Sequence, residues 1–374
     1  MNKLGFGMMR LPLNDINNPK DICKEKSIEL VDAFLESGCN YFDTAYIYNK
    51  GQSEKIIGEI LVDRHPRESF ILTDKMPCML INRNEDYDTI FNKQLERTHT
   101  NYFDNYFLHA FGKMYYEETK KYNGFDWLNN KLKEGKVRHL GFSYHDDAET
   151  LDRILTEHPE FELVQLQINY ADWNHPTIQS RLNYEVCVKH DKKVIVMGPL
   201  KGGSLVNLPD DVLELLNKKQ PCFSCEAAYR MTAVSLGLRF AGGLKNVQIV
   251  LSGMSDLKQL KDNIRILENV RALTEEEKTL LSDAVQMFNA KKTIPCTSCK
   301  YCVGGCPKQI QIPEYFGLYN TQYIFGMGDN YIQNALNISG GKPSECIKCG
   351  KCDSICPQKL PVCEYMEKVS KLFE

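Results

Sequence analysis

SFILTDK, residues 69–75, is a short apolar run that closes on two charged residues. Runs of the same kind return along the chain: NYF (40–42), YFDNYFLHA (102–110), KVRHLGFS (136–143), FELVQLQINY (161–170), KKVIVMGPL (192–200) and NVQIVLSG (246–253). Most starts lie about thirty residues apart, the length of one strand–helix unit. Helical patterns fill the gaps. In KSIELVDAFLESGC, Ile28, Val31, Phe34 and Leu35 share a face and Gly38 is placed to stop the helix. In DDAETLDRILTEHPEF, Asp146 or Asp147 caps the start, Leu151, Ile154 and Leu155 form the stripe, and Pro159 ends it. With an opening strand near residues 4–9 the beat repeats eight times over some 270 residues. This predicts an α/β fold, a (β/α)8 TIM barrel, with a doubly wound open sheet as the competing architecture. The longest interval between strands, 201–245, is where a lid or cofactor-clasping loop is expected.

Composition narrows the class. The 374 residues are 43% hydrophobic and 25% charged, as in globular proteins, and suffice for a large domain with an appendix. A net charge of −3 gives no polyelectrolyte signature, so neither nucleic acid nor a membrane surface is an expected partner. MNKLGFGMMRLPL (1–13) reads as a first strand and not as a signal peptide, and no run approaches the roughly 18 apolar residues of a membrane span. A cytoplasmic location is expected. In that compartment fifteen cysteines are not structural disulfides. Six lie within 1–290 and nine beyond.

In a barrel, chemistry belongs at the C-terminal ends of the strands. Asp43 and Tyr48 follow the strand NYF, Lys75 ends SFILTDK, and His109 ends DNYFLHA. Each alone has an ordinary explanation: a rim aromatic, an emerging charge, a core histidine. Together they suit carbonyl reduction. Hydride arriving at a carbonyl carbon leaves negative charge on oxygen, which a tyrosine hydroxyl can protonate. A nearby ammonium is expected to lower the phenol's pKa, an aspartate to hold the lysine, and a histidine to orient the carbonyl.

FDTAYIY, ILTDK, DNYFLHA and VRHLGFS resemble the aldo-keto reductase family over roughly residues 4–270. The resemblance implies Tyr48 as acid/base, Lys75 and Asp43 as its tuners, and His109 as the substrate-orienting donor. It also implies a small carbonyl substrate and a nicotinamide cofactor, usually NADP(H), held without a Rossmann fold; no strand-linked GxGxxG is present. Ser143 and Gln165 match positions that hold the carboxamide, and Gln165, Gln167 and Asn169 make one face of their strand polar. Main-chain groups around Leu200–Gly202 would lie near the pyrophosphate. In VLSGMSDLKQLKDNI, Ser255, Gln259 and Asn263 match the adenosine-phosphate contacts. Three positions depart from the pattern. Tyr144 stands where many members have asparagine, Met197 where many stack a tyrosine on the nicotinamide, and Gln259 where an arginine often grips the 2′-phosphate. NADP and NAD both remain open, and a flavin in the same pocket is a further alternative.

The tail carries a different chemistry. CTSCKYCVGGCPK (296–308) and CIKCGKCDSICP (346–357) both fit C-x2-C-x2-C-x3-C-P. That run is the ligand pattern of two-cluster [4Fe–4S] ferredoxins, in which the fourth cysteine serves the other cluster. The expected groups are Cys296, Cys299 and Cys302 with Cys356, and Cys346, Cys349 and Cys352 with Cys306. Zinc is the competing metal, but a zinc site needs neither the third cysteine nor the terminal proline. The interval 307–345 contains the helix-compatible IPEYFGLYNTQYIFG and NYIQNALNIS, so the tail resembles the helical ferredoxin domains appended to larger redox enzymes. The expected organisation is a barrel over 1–272, a connecting helix over 273–293 capped by Thr274, and a small, mostly helical ferredoxin-like domain over 294–374. Cys222 and Cys225 form a lone CxxC taken as incidental, Cys363 is one thiol beyond the eight, His145 is a rim histidine, and Tyr315, Phe316 and Tyr319 are core aromatics.

Three functional readings follow. The chain is an NAD(P)H-dependent carbonyl reductase whose clusters link it to a one-electron carrier such as a ferredoxin or flavodoxin. Or it is the same reductase with structural or redox-sensing clusters. Or it is an electron-transfer protein whose barrel is a docking or flavin-binding platform, a reading that the complete tetrad argues against.

Overall fold

The structure is a computed structural model that describes residues 2–15, 18–176, 178–217, 226–290, 293–325 and 338–374. Eight strands form at the expected places: β1 (Leu4–Gly7), β2 (Tyr41–Asp43), β3 (Ile71–Pro77), β4 (Phe103–Phe111), β5 (Val137–Tyr144), β6 (Leu163–Gln167), β7 (Lys193–Met197) and β8 (Val247–Ser252). Each pairs in parallel with the next, and β8 returns to β1. The sheet is a closed barrel, which excludes the open, doubly wound alternative.

The register explains how distant residues come to share one interior. Asp43 pairs with Thr73, Thr73 with Asn105, Lys75 with Phe107, Pro77 with His109, Ser143 with Gln165, and Gln167 with Met197. Odd positions stand beside odd positions. Since side chains alternate along a strand, one parity faces inward on every strand. Tyr41, Phe107, Leu163, Ile195, Ile249 and Leu251 accordingly form one apolar cluster, with Ile71 packed against it. Even positions such as Phe42, Leu72, Tyr106 and Val164 are buried as well. Strands buried on both faces read as continuous apolar runs, which is why they stood out in the sequence. Gly141 is fixed by packing: a Cβ there would lie 2.5 Å from the Leu163 carbonyl oxygen and 2.6 Å from the Phe107 ring.

The helices follow their signals with one adjustment. Lys24–Glu36 buries Ser27, Leu30, Val31 and Phe34, whereas Ile28 and Leu35, expected on that face, are half-buried. Phe34 sets the inner stripe by meeting the rings of Phe6 and Phe42 at 5.5 and 5.1 Å. Asp147 caps Ala148–Glu157 by accepting from the Thr150 N–H at 2.8 Å. Thr274 opens Glu275–Ala290 in a reciprocal box with Glu277.

The chain divides into two compact units, 1–199 with 235–273, and 200–234 with 274–374. By contacts, the described residues of 200–234 and the connecting helix Glu275–Ala290 group with the second unit. The expected lid stretch is also largely helical, with a short turn at Lys201–Gly203 and helices at Asp210–Asn217 and Glu226–Gly242. Asp210–Asn217 buries Val212 and Leu216 and packs on Glu275–Ala290, which buries Leu280, Leu281 and Ala284. Cys222, Cys225 and most of NYIQNALNIS lie outside the described residues. Among the described residues, no helix is long and apolar enough to cross a membrane.

Candidate active site and cysteine cavity

In the first unit the structure brings the four chemical candidates together. Lys75, fully buried on β3, donates from Nζ to Asp43 Oδ1 at 2.6 Å and to the Thr44 carbonyl at 2.7 Å. The same ammonium lies 4.8 Å from the centre of the Tyr48 ring. His109 at the end of β4 meets that ring edge-on, with centres 5.8 Å apart. Asp43 receives a further hydrogen bond from Gln165 Nε2 at 3.0 Å, a contact that crosses the barrel. Gln165 therefore belongs to the tetrad's own network.

Burial dominates the electrostatics. It raises the Asp43 carboxyl, and Lys75 and Gln165 pull it back. It lowers the His109 imidazole well below its usual range, helped by the Lys75 ammonium and by His145, so the ring is neutral. Its Nδ1 is buried and has no hydrogen-bond partner among the described residues. Tyr48 departs from the expectation that a neighbouring ammonium makes it acidic. Burial holds its phenol well above the usual value, and the neighbouring Asp43 and Asp74 push in the same direction. The reason is geometric: the Lys75 charge is already engaged by Asp43. A phenol in this setting keeps its proton, the state a proton donor needs.

Behind the tetrad is a second buried network that sequence reading missed. Gln94 donates from Nε2 to the Lys75 carbonyl and to Glu54 Oε1, both at 3.0 Å, and Tyr106 donates to Gln94 Oε1. Arg97 donates to Glu54 Oε2 at 2.7 Å. Asp74 accepts from the Lys75 N–H at 2.8 Å, and its Oδ2 has no partner among the described residues. Burial, then the neighbouring Glu54, raise the Asp74 carboxyl well above the ordinary range. The one available signal was an acid at an even position of a strand whose even face is otherwise apolar.

The proposed nicotinamide-binding residues separate into groups. Ser143, beside Gln165 in the register, accepts from the Ala110 N–H at 2.8 Å. Tyr144 is buried and donates to the Asp147 carbonyl, so it does not replace the family's asparagine beside Ser143. Met197 ends β7, half-buried. Leu200 and Gly202 belong to the other unit, around the turn Lys201–Gly203, where Gly202 has φ +66°. Ser255 and Gln259 meet at the exposed start of the helix Leu257–Leu267, where Ser255 N–H donates to Gln259 Oε1 at 3.0 Å. Asn263 is buried and donates to Ser252 Oγ at 3.0 Å, an internal tie in place of an open phosphate contact. The inner rim fits a carbonyl and a carboxamide: an unpartnered imidazole nitrogen, a neutral phenol, a serine hydroxyl and a glutamine amide all gather there.

The second unit is organised by a repeat of fifty residues. Each cysteine of 296–306 recurs at 346–356, and the positive-φ residues recur with them: Ser298 with Lys348, Lys300 with Gly350, Gln309 with Lys359. Ser298 N–H donates toward Cys296 Sγ at 3.4 Å. The cysteines cross over between the repeats. Cys306 lines a cavity together with Cys346, Cys349 and Cys352. Cys356 lies by Cys296, Cys299 and Cys302; burial pushes Cys296 up to about 11 and Cys302 up to about 12, and the neighbouring thiols add to both. An apolar core holds the arrangement, with Ile310, Tyr315, Phe316, Tyr319, Val362 and Met366 buried. Two sets of four thiols fit a four-iron cluster better than a lone divalent ion.

Comparison with known proteins agrees with both halves. The Aldo/keto reductase family matches residues 3–285, and a 4Fe-4S dicluster domain matches residues 295–360. An uncharacterized oxidoreductase, YqkF of Bacillus subtilis, is 25% identical over 277 residues, which is 68% of this chain and 86% of that protein. The aryl-alcohol dehydrogenase [NADP(+)] of Phanerodontia chrysosporium is 29% identical over 137 residues, about a third of each chain. The structure of an aldo-keto reductase from Klebsiella pneumoniae in complex with NADPH superposes with a TM-score of 0.57 at 20% identity, covering 76% of this chain and 90% of that one. Taken with the closed barrel and the paired cysteine motifs, these matches show that the chain belongs to the aldo/keto reductase family and carries a 4Fe-4S dicluster domain.

Proposed function

We propose that the barrel reduces the carbonyl group of a small molecule with NADPH, and that the second unit exchanges single electrons with a carrier such as a ferredoxin or flavodoxin. The observation that carries the reading is the Lys75 ammonium, buried between Asp43 and the face of Tyr48 with a neutral His109 against the ring edge. When bound, the nicotinamide supplies hydride to the carbonyl carbon. Tyr48 gives its hydroxyl proton to the carbonyl oxygen, and the product is the alcohol. As phenolate character develops on Tyr48, Lys75 is the adjacent cation that stabilises it. Asp43, held by Gln165, keeps Lys75 in place. His109, neutral, donates a hydrogen bond that orients the carbonyl oxygen. Ser143 and Gln165 would hold the carboxamide, Met197 would lie on the nicotinamide side, and Ser255 and Gln259 would serve the adenosine end. The NADP-bound state of the Klebsiella relative and the name of the Phanerodontia relative favour NADPH over NADH.

Two [4Fe–4S] clusters would be held by Cys296, Cys299, Cys302 and Cys356, and by Cys346, Cys349, Cys352 and Cys306. Such clusters supply one-electron transfer, whereas a hydride carries two electrons, so a flavin or other two-electron carrier is the chemical requirement for coupling the units. Tyr48→Phe tests the barrel assignment. Carbonyl reduction should fall about 100- to 10,000-fold while the visible absorbance of the clusters is kept. Full activity in that variant would overturn it.

A further inference from the structure

Five thiols, not four, line the cavity of the second repeat. Cys363 joins Cys306, Cys346, Cys349 and Cys352 around it. Its sulfur lies 3.9 Å from Cys352 Sγ, and with Asp353 these two form a compact group of metal-ligating side chains. The position is held from both sides. Cys363 is the second residue of the helix Val362–Phe373, and its N–H donates to Asp353 Oδ1 at 3.0 Å. The fifty-residue repeat supplies an internal control. The counterpart of Cys363 is Pro313 and that of Asp353 is Val303, so the first repeat has neither the extra thiol nor the carboxylate that fixes it.

We propose that Cys363 is a reserve ligand for the cluster corner assigned to Cys352. The inference rests on reading the eight motif cysteines as cluster ligands. In the exchange the Cys363 thiol passes its proton to the Cys352 sulfur and becomes the ligand as Cys352 leaves. One iron–sulfur bond breaks and one forms, and neither charge nor oxidation state changes. A cluster in this half survives loss of its buried corner ligand, and the cluster of the first repeat does not.

The test uses anaerobically purified full-length protein, with iron content and EPR as readouts in place of turnover. Wild type and Cys363→Ala should each hold about eight irons. Cys302→Ala should show the signal of an oxidised three-iron cluster. Cys352→Ala should keep its iron without that signal and with altered EPR of the reduced cluster, and Cys352→Ala/Cys363→Ala should lose an iron. A three-iron signal in Cys352→Ala as strong as in Cys302→Ala overturns the inference. Should the Cys352 variants not accumulate, Cys363→Ala decides: under mild oxidation with a chelator it should release iron several-fold faster than wild type, and equal rates refute the role. Iron-free wild type would refute the cluster reading itself, an outcome distinct from failure of Cys363 alone.

Discussion

Replacing Asp74 by asparagine isolates the electrostatic cost of placing a third acid beside the tetrad. Asp74 is fully buried, and the two nearby cations are engaged elsewhere, Lys75 by Asp43 and Arg97 by Glu54. Its carboxyl is raised well above the ordinary range, chiefly by burial. In the unfolded chain the same group ionises near pH 3.9. The folded state therefore binds one more proton throughout the interval between that value and the folded pKa. Stability from this group is fully present below the unfolded pKa and is lost as pH rises toward the folded one, at about 1.4 kcal/mol per pH unit. Asparagine is neutral at every pH and keeps an oxygen for the Lys75 N–H. Asp74→Asn should thus be more stable than wild type near neutrality, by a margin that widens with pH. Both tryptophans, Trp127 and Trp173, lie in the first unit, so their fluorescence during urea unfolding reports the barrel without the cysteine-rich unit. Comparing the two proteins across a pH series should show their difference widening in favour of Asp74→Asn as pH rises, by no more than about 1.4 kcal/mol per unit. Parallel pH dependence would mean that Asp74 is ionised when folded and would refute the reasoning.

Other expectations test separate links. Lys75→Met leaves the Asp43 carboxylate buried with only Gln165, and should cost about 3–5 kcal/mol of barrel stability by the same fluorescence assay. Adding Asp43→Asn should restore much of that stability and none of the carbonyl reduction; failure to restore it would mean that the pair is not coupled. Cys356→Ala should perturb the cluster assigned to Cys296, Cys299 and Cys302, whereas Cys306→Ala should perturb the other, as distinguished by EPR. If each variant instead damages the cluster of its own motif, the crossover assignment is wrong. Gly141→Ala forces a Cβ against the Leu163 carbonyl and the Phe107 ring and should destabilise the barrel by about 1–3 kcal/mol, measured by urea midpoint; a neutral result would show that Phe107 can move aside.

The strand beat and the double cysteine motif were legible because both are local. A strand buried on two faces must be apolar along its length, and a loop that wraps a cluster must place its thiols a few residues apart. The same locality pointed to Asp43, Lys75 and His109 in the C-terminal parts of their strands and to Tyr48 in the loop after β2. What tertiary structure decided was every quantity summed over distant segments. The Tyr48 phenol is raised and not lowered because desolvation and the nearby acids Asp43 and Asp74 outweigh one ammonium that Asp43 already holds. Asp74 and Glu54, twenty residues apart, interact through space, and Gln94 ties Glu54 to the Lys75 carbonyl on β3. Gln165 reaches Asp43 across 122 residues through the barrel interior. Residues 200–234 sided with the second unit because an apolar helix face found its partner there. The motif showed eight cysteines; the folding back of the last helix brought the ninth to the cavity. Sequence spacing fixes what a segment can become, whereas burial, charge balance and through-space contact depend on which segments the closed barrel and the repeated tail bring together.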